Sequence, residues 1–200
     1  MPERIGIFGG TFDPPHLGHS ILASEARAQL RLTRLLWVLT PLPPHKLNRP
    51  MSSLEDRLAM AKLALNDEPA FELSKIELER PGPHYTLDTL HIFAGQYPDS
   101  DLILLLGGDS LRDLPTWHRP ADLVAACHQI GVMRRPADSI DMIQLEAKIP
   151  GLKAKVQFVE APLLEIASSE IRRRAAHGLP FRYYLLPAVY QYIQENHLYQ

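Results

Sequence analysis

Short apolar runs alternate with amphipathic stretches from one end of this 200-residue chain to the other, and few folds accommodate that pattern. Arg4 to Phe8, Leu35 to Leu39, Leu102 to Leu106, Gln129 to Met133 and Lys155 to Val159 are each bounded by polar or turn-forming residues, as strands buried on both faces should be. Between them, Leu17 to Leu30 and Leu54 to Leu65 repeat apolar residues at three- and four-residue spacing, and Ser53 stands where a helix N-cap belongs. Phe71 to Glu79 alternates instead, with Phe71, Leu73, Ile76 and Leu78 reading as a strand with one slip of register. Thr86 then opens a short helix carrying Leu87, Leu90, Ile92 and Phe93. Parallel strands need crossover connections, and helices supply them with a right-handed sense. The expected fold is therefore an open, doubly wound α/β parallel sheet. In such sheets ligands gather at the carboxyl ends of the strands, which directs attention to the loops after Phe8, Leu39, Leu106 and Met133.

Composition narrows the functional classes. An apolar fraction of 46% across residues 1–200 fits one well-cored domain, and no internal repeat divides it. With 21 basic and 23 acidic residues the formal charge is −2, without the electrostatic footprint of a general nucleic-acid binder, so any phosphate site must be local. The single cysteine, Cys127, leaves no intramolecular disulfide and no Cys-x-x-Cys pair, which fits a reducing compartment. No signal-peptide pattern and no run near the roughly 18 apolar residues of a membrane span is read, so the chain is expected to be soluble and cytoplasmic, with neither membrane nor nucleic acid as partner.

Two segments carry the chemistry. Gly9 and Gly10 follow the first strand and precede a helix, an arrangement expected to turn the backbone sharply and bring N–H groups against a phosphate. Neither the Gly-x4-Gly-Lys-Ser/Thr nor the Gly-x-Gly-x-x-Gly fingerprint is present, which removes the main support for P-loop ATPase and dehydrogenase readings. His16 and His19 lie three apart at the helix start, near one face, where the positive helix end reinforces an imidazole donor aimed at an anion. Near the other end, Ser168, Ser169 and Arg172 open a second helix whose first-turn N–H groups, hydroxyls and planar cation suit phosphate oxygens.

The eleven-residue string Gly9-Gly10-Thr11-Phe12-Asp13-Pro14-Pro15-His16-Leu17-Gly18-His19 resembles the signature of the nucleotidylyltransferase superfamily with its His-x-Gly-His motif. Ile166-Ala167-Ser168-Ser169-Glu170-Ile171-Arg172 resembles that superfamily's second element, with Ala167 where serine is common and Ser169 in place of threonine. Over residues 4 to 199 the chain is similar to the bacterial nicotinate-nucleotide adenylyltransferase family, through Pro43-Pro44-His45-Lys46, Arg57, Tyr85-Thr86-Leu87-Asp88-Thr89-Leu90, Gly107-Gly108-Asp109-Ser110-Leu111, Pro115-Thr116-Trp117-His118 and Arg134-Arg135-Pro136. The Leu185-Leu186-Pro187 and Tyr192-Ile193 stretches match too and read as packing.

The resemblance implies a Rossmann-like fold and transfer of AMP from ATP to nicotinate mononucleotide. It implies ATP binding by Gly9, Gly10, Thr11, Phe12, His16, His19, Gly107, Asp109, Ser168, Ser169 and Arg172, with His16, His19 and Arg172 catalytic. Nicotinate mononucleotide is expected at Lys46, Tyr85, Thr86, Asp109, Trp117 and Arg134, its pyridinium ring stacked on Trp117 and its carboxylate at the backbone N–H groups of Tyr85 and Thr86. No resident metal site is expected: Mg²⁺ arrives with ATP, because no local carboxylate cluster marks a cage. Zinc held by His16 and His19 is a weaker alternative that lacks a third ligand. Phosphopantetheine and nicotinamide mononucleotide stay open as acceptors, as do a catalytically silent nucleotide sensor on the same fold and a homo-oligomeric state.

Overall fold

The computed structural model describes residues 2–42, 51–65, 68–133, 140–162 and 164–200. Six strands, β1 (Arg4–Gly10), β2 (Arg34–Leu39), β3 (Phe71–Ser74), β4 (Asp101–Gly107), β5 (Gln129–Met133) and β6 (Val156–Val159), form one sheet in the order β3-β2-β1-β4-β5-β6. Every neighbouring pair is parallel, as the sequence pattern predicts. The helices are α1 (Leu17–Gln29), α2 (Leu54–Leu65), α3 (Thr86–Gln96), α4 (Gly108–Asp113), α5 (Pro120–Ala126), α6 (Met142–Lys148), α7 (Leu152–Lys155), α8 (Ser168–Ala176) and α9 (Pro187–Glu195).

Because side chains alternate along a strand, each run of apolar residues feeds two cores. In β4, Leu102, Leu104 and Leu106 join Ile5, Ile7, Leu36, Val38, Leu87, Leu90 and Phe93 on one face. Ile103 and Leu105 join Phe8, Phe12, Leu22, Leu35, Trp37 and Leu39 on the other. A third cluster, Met60, Ile171, Phe181, Leu185, Val189 and Ile193, packs α2 against α8 and α9. That cluster explains why the carboxyl-terminal stretch is apolar, since each buried Leu, Ile or Phe contributes roughly 1.5–3 kcal/mol.

The expected strand over residues 71–79 ends early. β3 stops at Ser74, and the chain turns with Leu78 N–H donating to the Lys75 carbonyl at 2.8 Å. The turn sends Ile76 to one core and Leu78 to the other, and that divergence produced the apparent slip of register. Ser53 caps α2 as expected, its Oγ accepting from Asp56 N–H at 3.0 Å.

Candidate active site

The strand order reverses direction between β1 and β4, so the crevice at their carboxyl ends is where an open parallel sheet receives ligands. Ile7 pairs with Leu104, which brings Gly10 and Gly107, three residues further along each strand, to the same edge. The two glycine segments singled out in the sequence therefore flank this switch point.

Gly9 and Gly10 do not make the expected turn. Both are the last residues of β1, paired with Val38 and Leu39, and Thr40 N–H extends the ladder to the Gly10 carbonyl at 2.9 Å. The reversal falls on Phe12, whose φ is 48°, a left-handed conformation uncommon for a bulky residue. Its ring holds that conformation in place: 1% exposed, it stacks on Trp37 at 4.8 Å and meets Phe8 and His19 edge-on. Phe12 is thus an anchor, and only its backbone can reach a ligand.

The two glycines have different reasons to be glycine. A Cβ on Gly10 would lie 2.9 Å from the Phe12 ring, whereas one on exposed Gly9 would meet nothing within 4 Å. Gly10→Ala is therefore expected to cost about 1–3 kcal/mol through overpacking, more than the roughly 0.4–1 kcal/mol that a stiffer unfolded chain returns. Gly9→Ala should leave stability at or slightly above the parent and weaken ATP binding, because the new methyl occupies the approach to the backbone. Urea melts and ATP titrations check both, and parental ATP affinity in Gly9→Ala would contradict a close phosphate approach there.

His16 is the N-cap of α1 and 6% exposed, and His19 is partly buried two residues into the helix beyond Leu17. Their rings stack at 3.7 Å, and His16 N–H donates to His19 Nδ1 at 3.1 Å. An accepting Nδ1 puts the proton of the neutral ring on Nε2, which makes Nε2 the donor toward an anion. The intervening Gly18 has a steric reason as well, since a Cβ there would sit 3.1 Å from the His16 ring.

The second motif docks onto the first. Arg172 Nη1 donates to the Asp13 carbonyl at 2.7 Å and lies 4.0 Å from Asp13 Oδ2, while Ser168 Oγ donates to the Pro14 carbonyl at 2.9 Å. Ser168 is therefore a tie between motifs; Ala167 holds the N-cap position of α8 without a side-chain bond. The α8 ladder begins with Glu170 and Ile171 N–H, both donating to the Ala167 carbonyl, so the N–H groups of Ser168 and exposed Ser169 precede the ladder.

Two buried groups, Asp13 and Arg57, and the partly buried Tyr199, none given a role by sequence reasoning, support this loop. Asp13 is 1% exposed; its Oδ1 accepts from Tyr199 Oη at 2.7 Å and its Oδ2 from Ser52 N–H at 3.2 Å. Arg57, 3% exposed, donates to the carbonyls of Thr40, Pro41 and Thr11 at 2.9, 2.9 and 3.4 Å, tying the end of β2 to the signature loop. Burial pulls the Arg57 pKa below its usual value, opposed by the charge of Asp13. Burial and then the Asp13 charge push the Tyr199 phenol well above its usual range, so it stays a donor.

On the acceptor side, Tyr85 is the N-cap of α3, but its N–H donates to the Pro83 carbonyl at 3.2 Å. The expected pair of N–H donors at Tyr85 and Thr86 is thus shifted to Thr86 and Leu87, because the preceding tight turn uses the Tyr85 group and the N–H groups of Asp88 and Thr89 donate to the Tyr85 carbonyl. Arg80 braces this helix start through Tyr85 O and Thr89 Oγ1, each at 3.1 Å, and Thr89 Oγ1 donates to the 4%-exposed Glu77 at 2.6 Å. Burial raises the Glu77 pKa against the pull of its hydrogen bonds and Arg80. Trp117 is partly exposed at the end of a short 3₁₀ turn, and its neighbour His118 stacks on the Tyr85 ring at 4.0 Å. Gly107 is the N-cap of α4, and Asp109 in its first turn is exposed and paired with Arg112. Lys46 and Arg134, with the segments 43–46 and 134–136 around them, lie outside the described residues.

Two clefts, of about 380 and 550 Å³, open at the amino-terminal end of the sheet, away from this crevice. Lys155 and Arg4, which line them, are already committed to the fold. Lys155 Nζ donates to the carbonyls of Val124, Ala125 and Cys127, and Arg4 to Leu30, Asp101 and Gln129. Among the described residues, no group of three or more His, Cys, Asp or Glu side chains is placed to hold a metal ion, and no helix is long and apolar enough to cross a membrane.

A parallel sheet with a histidine-lined helix start and a second helix start docked on one loop defines a nucleotidyl-transferring class. Residues 7–174 match the family described as Cytidylyltransferase-like. At greater resolution, a protein of Thermomicrobium roseum named nicotinate-nucleotide adenylyltransferase is 44% identical over 99% of this chain and 92% of its own. One of Roseiflexus sp. with the same name is 43% identical over 98% of each. The chain belongs to the nicotinate-nucleotide adenylyltransferase family. The fold likeness extends further: the Plasmodium falciparum nicotinic acid mononucleotide adenylyltransferase complexed with NaAD superposes with a TM-score of 0.82 at 21% identity, covering 98% of this chain and 97% of that one.

Proposed function

We propose that this chain transfers the AMP part of ATP to nicotinate mononucleotide, giving nicotinate adenine dinucleotide and pyrophosphate in NAD biosynthesis, in the cytoplasm. The observation that carries this reading is the docking of the α8 start onto the Asp13–Pro14 turn, which sets two helix amino termini, His16, His19 and Arg172 around one crevice. The family membership supplies the acceptor.

A phosphate oxygen of the mononucleotide attacks the α-phosphorus of ATP, and the bond to the bridging oxygen breaks with its electron pair leaving on pyrophosphate. The nucleophile is already anionic, so the site's work is alignment and charge neutralisation rather than proton abstraction. Gly9, Gly10, Thr11 and Phe12 present backbone to ATP, and His16, His19 Nε2–H, the first-turn N–H groups and hydroxyls of Ser168 and Ser169, and Arg172 bind its phosphates. ATP enters as its magnesium complex. Asp13, the carboxylate inside the signature loop, is committed to Tyr199 and Ser52, which favours a cation carried by the phosphates over one caged by protein.

Gly107 and Asp109 are assigned to the ribose groups, Lys46 and Arg134 to phosphate. The N–H groups of Thr86 and Leu87 receive the nicotinate carboxylate, where the positive helix end prefers an acid to an amide. Trp117 stacks on the pyridinium ring. Cation–π attraction of about 1–2 kcal/mol at a desolvated face corresponds to a roughly 5–30-fold rise in the mononucleotide KM for Trp117→Ala. The KM for ATP should stay within twofold, and an unchanged mononucleotide KM would contradict the stacking role.

The reaction type is tested by ATP labelled at the α-phosphorus. The label should appear in the dinucleotide and not in pyrophosphate, and label in pyrophosphate or in free AMP alone would exclude adenylyl transfer.

A further inference from the structure

The last residues of the chain return to the loop that opens it. Beyond α9 the backbone passes through His197 and Tyr199 with φ of 51° and 66°, left-handed conformations that L side chains adopt only at a cost. Such strain persists where surrounding contacts over-determine it. His197 closes α9, with Leu198 N–H donating to the Ile193 carbonyl at 3.1 Å; at Tyr199 the contact is the hydrogen bond from its Oη to Asp13 Oδ1 at 2.7 Å, which spans 186 positions in sequence. Tyr199 Oη also lies 3.9 Å from Met60 Sδ, so the ring is seated against α2 as well as against the loop.

Asp13 is the point at which the loop is held. Phe12, one residue before it, is fixed in the core, and His16, three residues after it, starts α1. The backbone carbonyl of Asp13 receives Arg172, and that of Pro14 receives Ser168. A shift of the Asp13 carboxylate therefore moves the two groups assigned to ATP's phosphates, His16 through the chain and Arg172 through the carbonyl. Without the hydroxyl, Oδ1 of this 1%-exposed carboxylate loses its partner while Oδ2 keeps Ser52 N–H, and the peptide that carries it is the one Arg172 grips.

We infer that Tyr199 is a positioning residue for adenylyl transfer, holding the Asp13–His16 turn through the Asp13 carboxylate, so that the carboxyl-terminal tail is part of the ATP site. This rests on the adenylyl-transfer reading for its kinetic consequence, but the hold on the loop is measurable without turnover. In-line displacement is sensitive to misplacement of the order of 1 Å, so the effect falls on kcat.

The test is Tyr199→Phe in the full chain, with deletion of residues 199–200 as a second variant. For Tyr199→Phe, kcat should fall about tenfold while the mononucleotide KM stays within twofold, since misaligned phosphates slow chemistry more than acceptor binding. In an Asp13→Ala background the same substitution should add less than a twofold loss, as expected of residues acting through one contact. Amide hydrogen exchange should quicken over residues 10–18 and not in β4 or β5, and the deletion should show the same local pattern. Unchanged exchange over 10–18, or exchange quickened evenly across the sheet, would overturn the assignment. If the parent forms no dinucleotide, the function proposed above fails, and the exchange result still decides whether the tail holds the loop.

Discussion

Replacing His19 with alanine is expected to lower kcat by about 10²–10³-fold, the usual cost of deleting one preorganised donor to a developing oxyanion. The affinity for pyridine mononucleotide should change little, because the contact strengthens as charge gathers on the transferring phosphate and departing pyrophosphate. The direction of the effect follows from one hydrogen bond. His16 N–H occupies His19 Nδ1, so the neutral ring carries its proton on Nε2, the atom proposed to donate to the phosphates. Alanine also leaves the His16 N–H at the start of α1 without that acceptor, a loss similar to that of a helix cap at about 1 kcal/mol, or about 2–4 °C in Tm. A His19→Gln variant keeps a donor near the Nε2 position and should recover part of the lost turnover. Turnover within threefold of the parent in His19→Ala would remove His19 from the mechanism.

Arg172→Ala should have an effect of the same order on kcat/KM for ATP, roughly 10²–10³-fold, and a larger effect on stability. Arg172 does two things at once in this fold. It donates to the Asp13 carbonyl at 2.7 Å, and its charge lies 4.0 Å from a carboxylate that is 2% exposed. Charge-assisted hydrogen bonds contribute about 1.5–3 kcal/mol, so Tm should fall by several degrees. Arg172→Lys retains the charge but not the planar fork, and should restore Tm more fully than kcat/KM. Kinetics within threefold of the parent for Arg172→Ala would make this side chain a structural strut alone.

Much of this was legible in the sequence, and the failures have identifiable causes. The parallel sheet could be read because β2 and β4 are apolar on both faces, a pattern that only a doubly covered strand requires. The motifs at Gly9–His19 and Ile166–Arg172 were visible because their residue types are unusual together. Their mutual docking was not, since Ser168 to Pro14 joins positions 154 apart through a carbonyl that any residue supplies. The turn assigned to Gly9 and Gly10 was misplaced because glycine permits a positive φ without requiring one; the ladder with β2 keeps both extended and passes the reversal to Phe12. The second half of the 71–79 alternation read as strand because Ile76 and Leu78 are both inward, yet they enter different cores through a turn. α5 and α6 went unassigned although each carries a start signal, Pro120 in the first turn and Asp141 accepting from Ile143 and Gln144 N–H. Tyr199 had no local signal at all. Its role depends on a side-chain contact between the two ends of the chain, which neither periodicity nor a motif near its own position encodes.

The family supplies the acceptor, and the α3 start and Trp117 are the groups proposed to select it. Pyrophosphate release should therefore be followed with purified protein, ATP and, in parallel, nicotinate mononucleotide, nicotinamide mononucleotide or phosphopantetheine. Rapid release with nicotinate mononucleotide, slower release with the amide and none with phosphopantetheine is the expected result. Faster release with nicotinamide mononucleotide or phosphopantetheine, or none with any of the three, would contradict the proposed activity.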